Sequence, residues 1–144
     1  MKPTRIISNL VGLMLFVQVI LGGSAVFGLA DVRIHLVWGI VTFGVLIIAT
    51  VYAARELGSK STLFRTGVAA IADYVVQIVL GVTSLATNNN AVVVVVHLTN
   101  AFVLGVLVTY LISFADSAEK ASASLNPQAR TPAPGTMRAL SRDS

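Results

Sequence analysis

The chain has 144 residues, a formal net charge of +4, 56% hydrophobic residues and only 11% charged ones, and a mean hydropathy of +0.85. A soluble domain of this size cannot hide so much apolar surface inside itself, so the apolar side chains must face lipid. The absence of cysteine excludes disulfides, iron–sulfur clusters and thiolate catalysis, and a pI near 10 without a basic face on a soluble domain gives no support to nucleic-acid binding.

Four apolar runs follow one another, about Ile6–Leu29, Ile34–Ala54, Thr66–Thr87 and Ala91–Phe114. Each is near the ~20 residues a helix needs to cross the hydrocarbon. Barrel strands would be half as long and would alternate in polarity. The expected fold is therefore an all-α integral membrane protein, a bundle of four transmembrane helices whose main partner is the lipid bilayer. The first run follows Lys2 and Arg5 and ends near Gly28-Leu29-Ala30, a stretch like a signal cleavage site. It exceeds the ~7–15 residues of a signal h-region and carries a motif repeated later, so it is read as a retained span.

Composition changes after Asp116. Residues 1–116 form the expected membrane domain, and Ser117–Ser144, rich in Ser, Ala, Pro and charge, is expected to be a flexible cytoplasmic tail, too poor in apolar side chains to offset the entropy of ordering it. Its Thr131–Pro134 stretch reads as linker or as an adaptor ligand. Lys2 and Arg5 precede the first run, Arg55, Lys60 and Arg65 separate the second and third, and Lys120, Arg130, Arg138 and Arg142 follow the fourth. Only Arg33 lies on the other side. The positive-inside rule then predicts a multi-pass protein of the cell membrane with both termini in the cytoplasm.

An internal repeat links the first and third runs. Gln18-Val-Ile-Leu-Gly22 matches Gln77-Ile-Val-Leu-Gly81, and each is followed by small polar residues, a short loop and a His-Leu pair, His35-Leu36 and His97-Leu98. Four positions beyond the histidines stand Gly39 and Ala101, on the same helical face as the imidazoles. The chain reads as two similar helical hairpins.

The only two histidines thus begin the second and fourth helices in the same leaflet, where they can face each other across the bundle. An ionisable side chain inside a membrane calls for a partner. Two imidazoles from facing helices suit the iron of a six-coordinate haem. Helix-to-helix hydrogen bonding is the alternative. Gly22, Gly23, Gly39, Gly81 and Ala101 would leave room for a flat macrocycle or serve close helix packing. Arg33 is the candidate partner of haem propionates, or a marker of the loop. Trp38 would stack on the macrocycle or fill the core. Zinc is disfavoured, since two histidines fall short of its usual ligand count. Asp73 would carry protons, pair with Arg55, or bond Tyr52 or Tyr74. Gln18 and Gln77 would bond each other, backbone, or a quinone or haem.

The segments Gln18–Ser24, Arg33–Gly39, Gln77–Thr83 and Val96–Ala101 together resemble one half of haem A synthase, the membrane enzyme that oxidises a methyl group of haem O. That family is usually built of two similar four-helix halves with histidines on the second and fourth helices of each. The resemblance spans the membrane part but not the tail. It implies that His35 and His97 are axial ligands of a haem b, and that a four-helix chain pairs with a second copy as a homodimer. The family's catalytic half typically has a Glu three residues before the helix-two histidine and an Arg just after it. Here those places hold Val32 and Leu36, and Asp31, one residue further away, is the candidate substitute. The chain looks more like the half that holds a structural or electron-transferring haem b.

The expected function is therefore a haem b-binding membrane protein of the haem A synthase type acting in haem A biosynthesis, an oxidoreductase on haem O. The alternatives are a b-type cytochrome exchanging electrons with quinone and a structural membrane subunit without haem.

Overall fold

Capping residues divide the apolar sequence into four helices: α1, Pro3–Val26; α2, Val32–Leu57; α3, Thr62–Ala86; and α4, Ala91–Ser124. In the computed structural model residues 3–125 are described. Lys2, Arg130, Arg138, Arg142 and the Thr131–Pro134 stretch lie outside the described residues. The carboxylate of Asp31 accepts from the Arg33 amide at 2.8 Å, the hydroxyl of Ser61 from Phe64 at 3.2 Å, and the amide oxygen of Asn90 from Val92 at 3.0 Å. Each satisfies one of the amides that a helix start leaves without an intrahelical acceptor. Gly28 and Gly58 turn the chain at φ +70° and +84°, and Asn88 and Asn89 adopt φ 52° and 58°, a left-handed region that asparagine tolerates better than most residues.

Two helix ends differ from the expected bounds. α1 stops at Val26 because the left-handed Gly28 cannot continue it. α4 runs to Ser124, so the expected flexible tail gives up residues 117–124 to helix. The Arg5 guanidinium explains the extension: Nε lies 2.5 Å from Asp116 and Nη1 3.4 Å from Glu119, two carboxylates on successive turns of α4. At the same end Thr4 donates to Glu56 at 2.5 Å, joining α1 to α2. At 1.5 Å per residue α4 is about 50 Å long, well beyond the ~30 Å of hydrocarbon, so its last turns are free to carry charge.

Each helix packs on two others, α1 on α2 and α4, and α3 on α2 and α4. The ring is closed and antiparallel, which puts α2 and α4 on one diagonal. Among the described residues there is no strand. All four helices are long and apolar enough to cross a membrane. Large apolar side chains such as Phe16 and Phe102 point outward, 64% and 80% exposed; a soluble monomer rarely presents so much apolar surface.

Packing is uneven along the bundle axis. Toward the termini and the 58–61 loop the interior is filled: Val11, Leu46, Leu104 and Leu111 are at most 1% exposed, with Ala49, Ala53, Ala70 and Ala115 between them. α2 and α3 pack tightly at Gly67, where a methyl group would stand 2.5 Å from Thr50 Oγ1 and 2.9 Å from Cγ2. Toward the other end the interior opens. No residue of α1 after Leu15, of α2 before Gly39 or of α4 before Leu104 is buried, and on α3 beyond Tyr74 only Ser84 is.

Candidate functional site

The open half of the bundle encloses a cavity of about 500 Å³ lined by all four helices. Its floor is formed by Leu15, Tyr74 and Leu104 and its far end reaches Asn89. Both histidines line it. They come from α2 and α4, the diagonal pair, so the antiparallel ring brings together side chains that stand 62 positions apart in the sequence. Gly22, Gly39, Gly81 and Ala101 line it too; Arg33 and Trp38 do not.

Each histidine is held by the glutamine of its own hairpin. His35 Nδ1 lies 3.2 Å from the Gln18 carbonyl and its Nε2 3.4 Å from the Gln18 side-chain nitrogen. A carbonyl only accepts, so Nδ1 donates, and the neutral ring keeps its lone pair on Nε2. His97 repeats the arrangement. Its Nε2 stands 3.4 Å from the Gln77 side-chain nitrogen, while Nδ1 turns toward the Gln77 backbone without completing a well-formed hydrogen bond. The glutamines therefore do not bond each other; their amides are spent on the imidazoles. The matching geometry in both hairpins follows the sequence repeat.

The small residues make room chiefly for these pairs. A methyl group on Gly22 would meet His35 Cε1 at 2.8 Å, and one on Gly81 would meet His97 Cε1 at 3.3 Å. A methyl group on Gly39 would meet the Gln18 side-chain nitrogen at 2.8 Å. The lack of a side chain at Gly22 and Gly81 thus leaves each imidazole its place beside the neighbouring helix.

The hairpins part company one turn below. Trp38 and Asn100 occupy equivalent positions, three residues past the histidines. The Trp38 indole donates to the Met14 carbonyl at 2.9 Å. Asn100 instead donates to Gln77 Oε1 at 2.9 Å and approaches Asp73 at 3.5 Å, so the Gln77 amide is oriented from behind and the Gln18 amide is not. Gln18 Oε1 is buried without a partner. The expected Asp73 contacts with Arg55, Tyr52 or Tyr74 give way to this one with Asn100. Tyr74 spends its hydroxyl on the Gly39 carbonyl at 3.0 Å and ties the two hairpins at the cavity floor. Asn100 escaped the sequence reading; the repeat could have flagged it, as the polar residue standing where the first hairpin has Trp38.

At the loop end, Asp31 caps α2 and is exposed. Arg33 is exposed two residues before His35. Among the described residues no carboxylate lines the cavity. Among the described residues no group of three or more His, Cys, Asp or Glu side chains gathers as a metal cluster. Compared with known proteins, the chain matches no family model, no curated protein and no solved structure.

Proposed function

We propose that the chain is a multi-pass protein of the cell membrane, of the haem A synthase type, which holds a haem b between His35 and His97. The observation that carries this reading is the shared cavity. Two imidazoles from diagonal helices border one apolar space of about 500 Å³, within the ~300–1,000 Å³ usual for cofactor sites. An iron held between two imidazoles supplies one-electron redox chemistry. The chain's residues supply the rest. His35 presents a lone pair on Nε2 because Nδ1 is engaged by the Gln18 carbonyl, the kind of outer hydrogen bond that fixes metal-ligating histidines. The apolar lining excludes water, and Gln18 and Gln77 stabilise the free imidazoles and would yield Nε2 to iron. Arg33 is the cation at the end where propionates would emerge. Arg5, Arg55, Lys60, Arg65 and Lys120 gather at the opposite end of the bundle, which supports cytoplasmic termini.

Two activities fit such a site. Oxidation of haem O is what the family resemblance implies, together with pairing of two copies. Electron transfer is favoured by the lining itself, which offers no carboxylate as a catalytic base, Asp31 being committed to its helix cap. Co-expression with a source of haem O separates them: haem A in the product marks a synthase, and unchanged haem O marks an electron carrier.

The test of the site is the absorption spectrum of protein purified from haem-replete cells. A six-coordinate low-spin spectrum is expected, and colourless, well-folded protein would leave only the structural reading. Gly22→Ala is expected to weaken haem retention by about 10-fold, the lower end of what loss of ligand orientation costs, and more than Gly81→Ala, because the added methyl sits closer to the imidazole in the first case. Haem-to-protein ratios after dilution measure both; equal effects would contradict the steric account.

A further inference from the structure

The two hairpins differ in one layer, made by the residue four before each glutamine and the residue three after each histidine. Met14 and Trp38 form it in the first hairpin, Asp73 and Asn100 in the second. Both layers tie their own pair of helices. The Trp38 indole does so by donating to the Met14 carbonyl at 2.9 Å, whereas the Asn100 amide nitrogen stands 2.9 Å from Gln77 Oε1 and 3.5 Å from Asp73 Oδ2. The polar layer also has a direction. An amide nitrogen only donates, so Gln77 Oε1 is committed as an acceptor, and the Gln77 nitrogen is turned toward His97 Nε2, 3.4 Å away. That nitrogen too can only donate, which places a lone pair on Nε2 and the His97 proton on Nδ1.

We propose that Asn100 is a positioning residue, which acts through the Gln77 amide to keep the lone pair of His97 on Nε2. The first hairpin reaches the same state by a shorter route. His35 Nδ1 donates to the Gln18 carbonyl at 3.2 Å, which fixes that ring's proton directly, and the Gln18 amide needs no brace: its Oε1 is buried without a partner. His97 Nδ1 completes no such bond. A glutamine amide that is free to turn satisfies either form of a neutral imidazole, its nitrogen meeting a bare Nε2 or its oxygen a protonated one. Only the brace behind Gln77 selects between them at His97. Asn100 is not among the residues that line the cavity, so it acts through Gln77. Its value to a haem rests on the proposed function, because iron needs a bare ring nitrogen; the placement of the proton does not.

The test is nitrogen NMR of the imidazoles in haem-free, histidine-labelled protein with both rings neutral, where a bare and a protonated ring nitrogen resonate far apart. Each histidine of the parent is expected as a single form with its proton on Nδ1. Asn100→Leu, similar in volume and without an amide, should bring in the form protonated on Nε2 at His97 and leave His35 unchanged. Asn100→Ala is the second variant, for the case that leucine disturbs the helix contact. Trp38→Leu removes the other hairpin's tie without freeing a braced glutamine and should leave both rings as they are. A parent His97 protonated on Nε2, or an Nδ1 proton that persists in both Asn100 variants, would overturn the proposal. So would a change at His97 in Trp38→Leu, since loosened helices rather than amide orientation would then place the proton. Purified from haem-replete cells, Asn100→Leu should retain haem about 10-fold less tightly, the lower end of what losing an outer partner of a metal ligand costs. The two readings fail separately: colourless parent protein whose His97 proton depends on Asn100 sinks the haem reading alone, and haem-loaded protein whose His97 proton ignores Asn100 sinks this one alone.

Discussion

Protein carrying His97→Ala, purified from haem-replete cells, is expected to lose its six-coordinate spectrum and to retain haem at least about 100-fold less tightly than the parent. Removing an outer-shell partner of a metal ligand typically costs 10–100-fold, and removing the ligand itself costs at least the upper end of that range. His35→Ala should behave alike, because the two imidazoles border the same cavity from diagonal helices. Neither change should unfold the bundle. Each imidazole bonds only the glutamine of its own hairpin, His97 leaves Nδ1 without a completed hydrogen bond, and both sit in the loosely packed half. Retained helicity by circular dichroism, beside a lost spectrum, is the expected pair of readings. His97→Met serves as the complementary variant, since a thioether can replace an axial imidazole and raise the potential. Undiminished haem in His97→Ala would remove the basis of the proposed site.

Gly67→Ala is expected to destabilise the bundle by about 1–3 kcal/mol, the usual cost of forcing an extra carbon into a filled interior. The new methyl would stand 2.5 Å, 2.9 Å and 3.1 Å from three atoms of Thr50, a residue only 4% exposed and held in its rotamer by a 2.9 Å hydrogen bond to the Leu46 carbonyl. That side chain cannot swing aside without breaking the bond, so α2 and α3 must move apart. Thr50→Ala removes the two closest atoms, and the double variant should recover most of the loss. Unfolding in denaturant from mixed micelles gives all four corners of the cycle. Additive effects would show that the helices separate freely, contrary to the geometry. This is the filled half of the bundle, so the change should leave the spectrum of the surviving folded protein intact, the opposite of the histidine variants.

Much of the fold was legible along the chain. Runs such as Ala91–Phe114 announce membrane-length helices through length and apolarity alone, and Asp31, Ser61 and Asn90 mark their starts by residue type. The repeated Gln-x-x-Leu-Gly segments placed Gln18 and Gln77 in register with His35 and His97, and both pairs indeed meet. The end of α4 was not legible, because Asp116 reads as the last residue of the membrane domain and Glu119 as tail until Arg5, more than a hundred positions earlier, is brought beside them. Nor were the contacts of Asp73 and Asn100, which depend on the rotation of α3 against α4.

Hydropathy and residue order alone settle that this is a four-helix, lipid-compatible chain with two similar halves, because the need to satisfy backbone groups within each apolar segment leaves the helix as the local solution. Order and composition do not say which helices are neighbours or where the interior is filled. Those depend on how side-chain volumes from four helices mesh, with Leu46, Leu104 and Leu111 closing one half while the glycines beside the imidazoles leave the other open. The meeting of both histidines at one cavity belongs to that packing, since no local preference of α2 or α4 can place their side chains on a common diagonal.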